Sequence, residues 1–429
     1  TFGGRARMNV QNSLAAAVST IKPLIANTRK VVMVAGAQLR AASAVHEFAV
    51  LADALGCGVA VMPDAKGMFS ETHAQYMGCY WAGVSSAHVQ EIVESADLII
   101  TAGAVFNDYT TVGWTSLLPA NKTVTLDVTH CKVAGQYFPQ VCLKHVLAQL
   151  AADAPNRPDS LLAFRRYMPV ASECVEEVTA ALEQSIGAPL SLRFLLSQLQ
   201  CAVTSGVSSV LAETGDSWFI GQKLVLPSGV KYHVQMQYGS CGWALGACLG
   251  VGIAQAVRAQ SVEPSKGPFG AEHYVSPPPR LLALIGDGSF QFTAQELTTL
   301  IRHKINVTII LLNNRTYTIE VQIHDGEYNK IMNWKYAELV DVVRNQEDSA
   351  LGVRVTTNEE LVTALEKSSS HQGVMLIECC IDKDDCTSSL LEWGSRVASA
   401  NMSGTDQVLL RLNDQHMHRR AYQSMRCYS

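Results

Sequence analysis

Two strongly apolar runs, Leu281-Leu282-Ala283-Leu284-Ile285 and Val307-Thr308-Ile309-Ile310-Leu311-Leu312, constrain the fold most, because each stops abruptly at a polar cluster. Gly286-Asp287-Gly288 ends the first and Asn313-Asn314 the second. Short runs of this composition read as buried strands, and parallel strands bind ligands beyond their carboxyl ends. Asn314 follows Asp287 by 314 − 287 = 27 residues. That is room for one helix and a return strand, so both side chains can reach one ion. A hard divalent cation such as magnesium takes oxygen ligands of this kind, completed by diphosphate oxygens and water. The pattern is the footprint of a metal-bridged diphosphate site.

The same rhythm of strand and helix runs through the chain and predicts an α/β fold of two doubly wound parallel-sheet domains. In the first, a strand at Lys30 to Ala35 ending in Gly36 is followed by a helical pattern from Ala41 to Leu55 and a strand at Gly58 to Met62. Further strands are expected at Asp97 to Ala102 and Thr123 to Val128, with a helical stretch at Ala87 to Glu94. Val34-Ala35-Gly36-Ala37 holds one glycine where a dinucleotide fingerprint needs three, so this first, Rossmann-like domain reads as scaffold. The second domain has strands expected at Ser208 to Ala212, Tyr232 to Gln237, the two runs above, and Val374 to Cys379. The expected division is a central domain over 1–152, a linker over 153–185 marked by Ala154-Pro155-Asn156-Arg157-Pro158, a diphosphate-binding domain over 186–400 and a polar tail over 401–429. The Ser/Pro/Gly-rich interval between Arg258 and Arg280 reads as a surface insertion.

A net charge of −5 without a basic stripe gives no footprint for nucleic acid or an anionic membrane surface. The apolar stretch Ala244 to Val257 is shorter than the roughly 20 residues of a membrane span. It reads as a buried helix whose glycines Gly242, Gly246 and Gly250 permit close packing. The 12 cysteines are scattered without metal-site or disulfide-framework spacing, which fits reduced thiols and a cytoplasmic protein.

Around the proposed ion, a helix expected over Ser289 to Arg302 starts beside Gly288 and aims its free N–H groups at whatever Asp287 holds. The plainer alternative is that Asp287 caps that helix and Asn314 stabilises a turn. Glu320, six residues beyond Asn314 and flanked by Ile319 and Val321, is placed to shuttle protons, with burial expected to raise its pKa. It also fits a solvent-facing position on an amphipathic helix. His324 and Asp325 read equally as a hydrogen-bonded loop pair. Glu213-Thr214-Gly215-Asp216-Ser217-Trp218-Phe219 suits a pocket wall, or a turn with Asp216 or Ser217 as cap and Trp218 in the core.

Taken together, Ala212 to Phe219, Met236-Gln237-Tyr238-Gly239-Ser240, Gly286 to Glu296 and Tyr317-Thr318-Ile319-Glu320 resemble the pyruvate decarboxylase family. The resemblance continues through Ile323-His324-Asp325-Gly326 with Asn333-Trp334, and through Glu392-Trp393-Gly394-Ser395-Arg396-Val397. In the first domain it takes in Val61 to Gly67 and Val105-Phe106-Asn107-Asp108-Tyr109, so it covers nearly the whole chain. It implies thiamine diphosphate and magnesium as cofactors, with the metal held by Asp287, Asn314 and the backbone carbonyl of Thr316. Gly288, Ser289 and Asp216 would then face the diphosphate, with Ser240, Cys241 and Ile319 also at the cofactor and the Gly239 carbonyl taking its amino group. Glu320 would assist proton transfer, and Thr214, Trp218, Ile319 and Ile323 would line a small substrate pocket.

The implied reaction is non-oxidative decarboxylation of a small 2-oxo acid, pyruvate, to acetaldehyde and carbon dioxide by a homodimer or homotetramer. Cys241 departs from the family's larger aliphatic residue and Thr316 from its usual glycine, which a backbone ligand tolerates at negative φ. The family's N-terminal pyrimidine-binding domain, with its activating glutamate and histidine pair, matches nothing here, and an incomplete chain is expected. Decarboxylation of indolepyruvate or a branched-chain 2-oxo acid is one alternative, opposed by Trp218. A non-catalytic cofactor-binding subunit is the other if the chain is complete.

Overall fold

In the second half of the chain, central strands buried along nearly their whole length build a sheet that is parallel throughout. The computed structural model describes residues 2–152, 154, 161, 187–261, 280–346 and 349–401. Nearly all of the expected linker, all but the ends of the Arg258 to Arg280 insertion, and nearly all of the polar tail therefore lie outside the described residues.

The first sheet contains β1 (Val31–Ala35), β2 (Gly58–Val61), β3 (Tyr76–Cys79), β4 (Leu98–Ala102), β5 (Thr123–Leu126), β6 (His130–Val133) and β7 (Gln136–Pro139), in the order β3-β2-β1-β4-β5-β6-β7. Its central pairs are parallel, with Val31 opposite Leu98 and Val32 opposite Gly58. β6 and β7 add an antiparallel edge that the sequence reading did not foresee. The backbone is closely packed at the end of β1, where a Cβ on Gly36 would lie 2.2 Å from the backbone of Gly103 and Ala104.

The second sheet contains β8 (Val207–Ala212), β9 (Lys231–Val234), β10 (Arg280–Gly286), β11 (Val307–Asn313), β12 (Leu351–Val355) and β13 (Val374–Cys380), in the order β12-β13-β11-β10-β8-β9. Alternation along its strands feeds two separate cores. Leu282, Leu284, Ile310 and Leu312 pack with Leu195, Leu199 and Leu361 from the helices on one face. Leu281, Ala283, Ile285 and Ile309 pack with Leu245, Leu297 and Val340 from helices on the other. Helices on both faces explain why these strands read as unbroken apolar runs. The helix Trp243–Ser261 is only half sunk: Ala244, Leu245 and Cys248 are buried, but Ile253 and Val257 are exposed. Gly246 and Gly250 face open space rather than a close neighbour, which corrects the expected packing role of these two glycines. Among the described residues no helix is long and apolar enough to cross a membrane.

The two sheets share a core. Trp218, Phe219, Met236, Leu390 and Trp393 of the second unit are buried with the first unit's residues, and Phe219 stacks on Trp81 at 4.8 Å. Polar stitches cross the same seam. Glu71 accepts the Leu226 N–H at 3.0 Å, Gln222 donates to the Pro63 carbonyl at 2.6 Å, and Arg40 donates to the Tyr232 carbonyl at 3.2 Å.

Asp64 lies beside Arg40 at this seam. Burial pushes its carboxyl up to about 7, and its Oδ1 has no hydrogen-bond partner among the described residues. The unfolded chain loses this proton near 3.8, so between that pH and about 7 the Asp64 contribution to stability is lost as pH rises. His233, pushed down to about 4 by burial, acts with the opposite sign from about 4 to 6.5. The difference between wild type and Asp64→Asn isolates the aspartate. Raising the pH from about 4.5 to about 7.5 should cost the wild type roughly 2 kcal/mol relative to the variant, measured by chemical denaturation. Parallel stability profiles would contradict the burial of this group.

Candidate functional site

β8, β10 and β11 are neighbours in the second sheet, so their carboxyl ends place Glu213-Thr214, Gly286-Asp287 and Asn313-Asn314 side by side. They open into a cleft of about 280 Å³ lined by Thr214, Asp216, Asp287, Asn314, Thr316 and Glu320, among others. The helix expected over Ser289 to Arg302 begins earlier, at Asp287, and is broken into Asp287–Thr293 and Glu296–Arg302.

Asp287 is 2% exposed. One carboxylate oxygen accepts the Gly288 N–H at 2.8 Å and the other accepts the Arg315 N–H at 2.7 Å, from the turn after β11. Arg315 adopts φ +65°, a left-handed conformation unusual for a side-chain-bearing residue. The carboxylate thus pins the turn that carries Asn314 and Thr316. Asn314 accepts from the Thr316 N–H at 3.3 Å and donates to Thr318 Oγ1 at 2.5 Å. Thr316 is not among the positive-φ residues, so its side chain is accommodated where the family has glycine. Gly288 is packed under Tyr317, since a Cβ there would meet the Tyr317 ring at 2.3 Å.

Burial dominates at Asp287, pushing its pKa up to about 6 against the two N–H bonds and the Arg315 charge. A buried carboxylate left short of positive charge beside amide and carbonyl oxygens suits a hard divalent cation. The cleft also holds the buried hydroxyls of Thr214 and Ser217, neither of which has a hydrogen-bond partner among the described residues. Unspent donors next to a cation-seeking carboxylate fit a metal-bound diphosphate.

Asp216 lines the cleft, yet its carboxylate is engaged with Thr387, accepting from the backbone N–H at 3.0 Å and from Oγ1 at 2.5 Å. Burial pushes the pKa of this carboxyl up to about 6. Ser289 is buried and donates to the Thr214 carbonyl at 3.3 Å. Gly239, at φ +59°, and Cys241 line the cleft, with burial pushing the Cys241 thiol up. Ser240 is exposed, donates its N–H to Gln235, and does not line the cavity.

Glu320 lines the cleft but is exposed, on the short helix Thr318–Ile323 of which only Thr318 is buried. The expected burial is corrected: this helix lies across the cleft mouth. Ile319 and Ile323 are half-buried on it. Trp218 is fully buried, both cleft wall and core. His324 and Asp325 are exposed and do not line this cleft; His324 sits against the Tyr328 hydroxyl rather than against Asp325.

Two residues at the site went unassigned in the sequence reading: Tyr109, which lines the cleft, and Glu213, which is buried behind it. Tyr109 reaches in from the first unit, meeting the Trp218 ring edge-on at 5.6 Å and stacking on Trp393 at 6.3 Å. Its hydroxyl donates to the Tyr238 carbonyl at 3.4 Å, and a Cβ on Gly239 would lie 2.9 Å from its ring. The first unit is therefore more than scaffold. Glu213, 1% exposed, accepts the N–H groups of Thr214 and Ala244 at 2.8 Å each and fixes the start of the helix behind Cys241. The signal was present in Asn107-Asp108-Tyr109 and in a glutamate at a strand end, but neither spacing indicates a ligand by itself.

A family profile described as "Thiamine pyrophosphate enzyme, central domain" matches residues 18–151, and one described as "Thiamine pyrophosphate enzyme, C-terminal TPP binding domain" matches residues 214–379. A probable pyruvate decarboxylase of Schizosaccharomyces pombe is 40% identical over 393 residues, covering 91% of this chain and 64% of the relative. A pyruvate decarboxylase of Neurospora crassa is 38% identical over 392 residues, again 91% and 64%. Pyruvate decarboxylase 2 of Pisum sativum is 41% identical over 398 residues, covering 92% of this chain and 91% of the relative. The chain thus spans 64% of the length of the first two relatives.

Proposed function

This chain belongs to the pyruvate decarboxylase family of thiamine pyrophosphate enzymes, and from that footing we propose that it carries the diphosphate-binding half of a site that converts pyruvate to acetaldehyde and carbon dioxide. The observation that carries the reading is the convergence of Asp287, Asn314 and Thr316 with the unspent hydroxyls of Thr214 and Ser217 in one cleft. When bound, thiamine diphosphate supplies the electron sink that a 2-oxo acid needs in order to lose carbon dioxide.

The chain's own residues divide the remaining work. Asp287, Asn314 and the Thr316 carbonyl would hold magnesium, whose charge would offset the cost of keeping Asp287 ionised in its buried position. Thr214, Ser217 and Ser289 would offer hydroxyls to the diphosphate, and the Gly239 carbonyl would serve the cofactor's amino group. Glu320 moves a proton at the reacting carbon from the cleft mouth. Trp218, Ile319 and Ile323 exclude water and bulky side chains.

Supplying pyruvate, magnesium and thiamine diphosphate to the full-length translation product tests the reading. Acetaldehyde and carbon dioxide in equal amounts are the expected products, and their absence from cofactor-loaded protein would refute it. Assembly as a homodimer or homotetramer in the cytoplasm belongs to the same proposal.

Trp218 is held edge-on by Tyr109 in the shared core, so Trp218→Ala should cost about 3–5 kcal/mol of stability. It should also shift the kcat/KM ratio towards branched-chain 2-oxo acids over pyruvate. An unchanged ratio would remove Trp218 from the substrate wall.

A further inference from the structure

Asn313, which completes the polar pair at the end of β11, points away from the cleft into a buried network that the proposed chemistry does not use. Its Nδ2 donates to Glu378 Oε1 at 2.7 Å and to Asn333 Oδ1 at 3.0 Å. Glu378, on β13, is 2% exposed although it sits in the apolar run Val374 to Cys379. Its second oxygen accepts the Ala337 N–H at 3.0 Å, in the first turn of the helix Tyr336–Val343, which has no side-chain cap of its own. Arg354 Nε lies 3.9 Å from Glu378 Oε1, so the carboxylate has an ion-pair partner besides these donors; a carboxylate so buried is costly to place and is retained where it fixes geometry.

The segment between Ile323 and Tyr336 is tied down from the other side by the two elements of the proposed metal site. Gln291, one turn beyond Asp287, donates to the Met332 carbonyl at 2.6 Å and to the Tyr336 hydroxyl at 2.7 Å. Tyr317 N–H and Thr316 Oγ1 both donate to the Asn329 carbonyl, at 3.0 and 3.1 Å. The loop after the Glu320 helix therefore bridges the Asp287 helix and the Asn314 turn, and Glu378 is the buried post to which both the loop and β11 are fastened.

We propose that Glu378 is a positioning residue for the metal site: through Asn313, Asn333 and Ala337 it latches the 324–336 loop and holds the Asn314 to Thr316 turn in register with Asp287. The inference rests on the magnesium and thiamine diphosphate reading above. Outer partners that orient ligands govern metal affinity by about 10- to 100-fold, so the latch should be read in the magnesium requirement. Its loss should leave binding stoichiometry unchanged.

The test is a magnesium titration of thiamine diphosphate binding to the full-length translation product, by calorimetry, for wild type, Glu378→Gln and Asn333→Ala. Asn333 is exposed, so its variant folds whether or not the Glu378 variant does. The half-saturating magnesium concentration should rise about tenfold in Glu378→Gln and several-fold in Asn333→Ala, at one cofactor per chain. A lowered melting temperature with an unchanged magnesium requirement in the folded variants would overturn the proposal; if only Asn333→Ala folds, its titration decides alone. A wild-type chain that binds no cofactor at any magnesium concentration would instead overturn the functional reading, and this inference with it.

Discussion

Replacing Asp287 with alanine should abolish magnesium-dependent binding of thiamine diphosphate. The side chain is buried and holds the N–H groups of Gly288 and Arg315, so its removal takes away a charged ligand and releases the turn bearing Asn314. Since changes to supporting partners alone cost about 10- to 100-fold in metal affinity, loss of the ligand itself should exceed that range. Asp287→Asn separates the two effects, because it keeps the shape and one acceptor while removing the charge. It should fold like wild type and still lose the metal. Asn314→Ala should match it, as the amide oxygen contributes to the same ion. Calorimetry at saturating magnesium reads all three variants, and wild-type affinity in any of them would remove that residue from the site.

Glu320→Gln should bind the cofactor normally and lose turnover by about 10²- to 10⁴-fold, the span that a positioned acid or base contributes. Glu320 is exposed at the cleft mouth, on a helix whose Ile319 and Ile323 lean into the core. Substitution there should leave stability close to wild type. Single-turnover kinetics with pyruvate on the full-length product would separate a lost proton step from lost substrate binding. Turnover within about twofold of wild type would assign Glu320 to the solvent-facing role.

The contrast between Asp287 and Glu320 shows where the sequence was legible. Leu281 to Ile285 and Val307 to Leu312 are buried on both faces, so the apolar run, its end and the polar group beyond it were all visible in one dimension. The neighbouring strands β8 and β13 announced themselves in the same way. Glu320 has apolar neighbours in sequence, but on a two-turn helix those neighbours face the core while the glutamate faces the opening. Local pattern cannot distinguish that from burial.

Other elements were hidden for physical reasons. β7 is mostly exposed and ends in Pro139, and β12 carries Gly352 and Arg354 on a half-covered edge. Neither makes an apolar run. The helix Phe2–Asn27 includes Gly3, Gly4 and Pro23, which weaken its pattern. Tyr109 and Glu378 were unreadable for a different reason, since their partners lie in other elements. Tyr109 meets Trp393 across 284 positions of sequence, and Glu378 meets Asn313 across 65.

Trp218 and Trp393 both line the cleft, so their fluorescence reports its occupation. Titrating thiamine diphosphate into the wild-type full-length product with magnesium, and again with the metal chelated, tests the central claim most directly. Saturable quenching at one cofactor per chain that needs magnesium, and that is missing in Asp287→Asn, is the predicted result. Equal quenching with and without the metal, or none at all, would contradict a metal-bridged diphosphate site at the ends of β10 and β11.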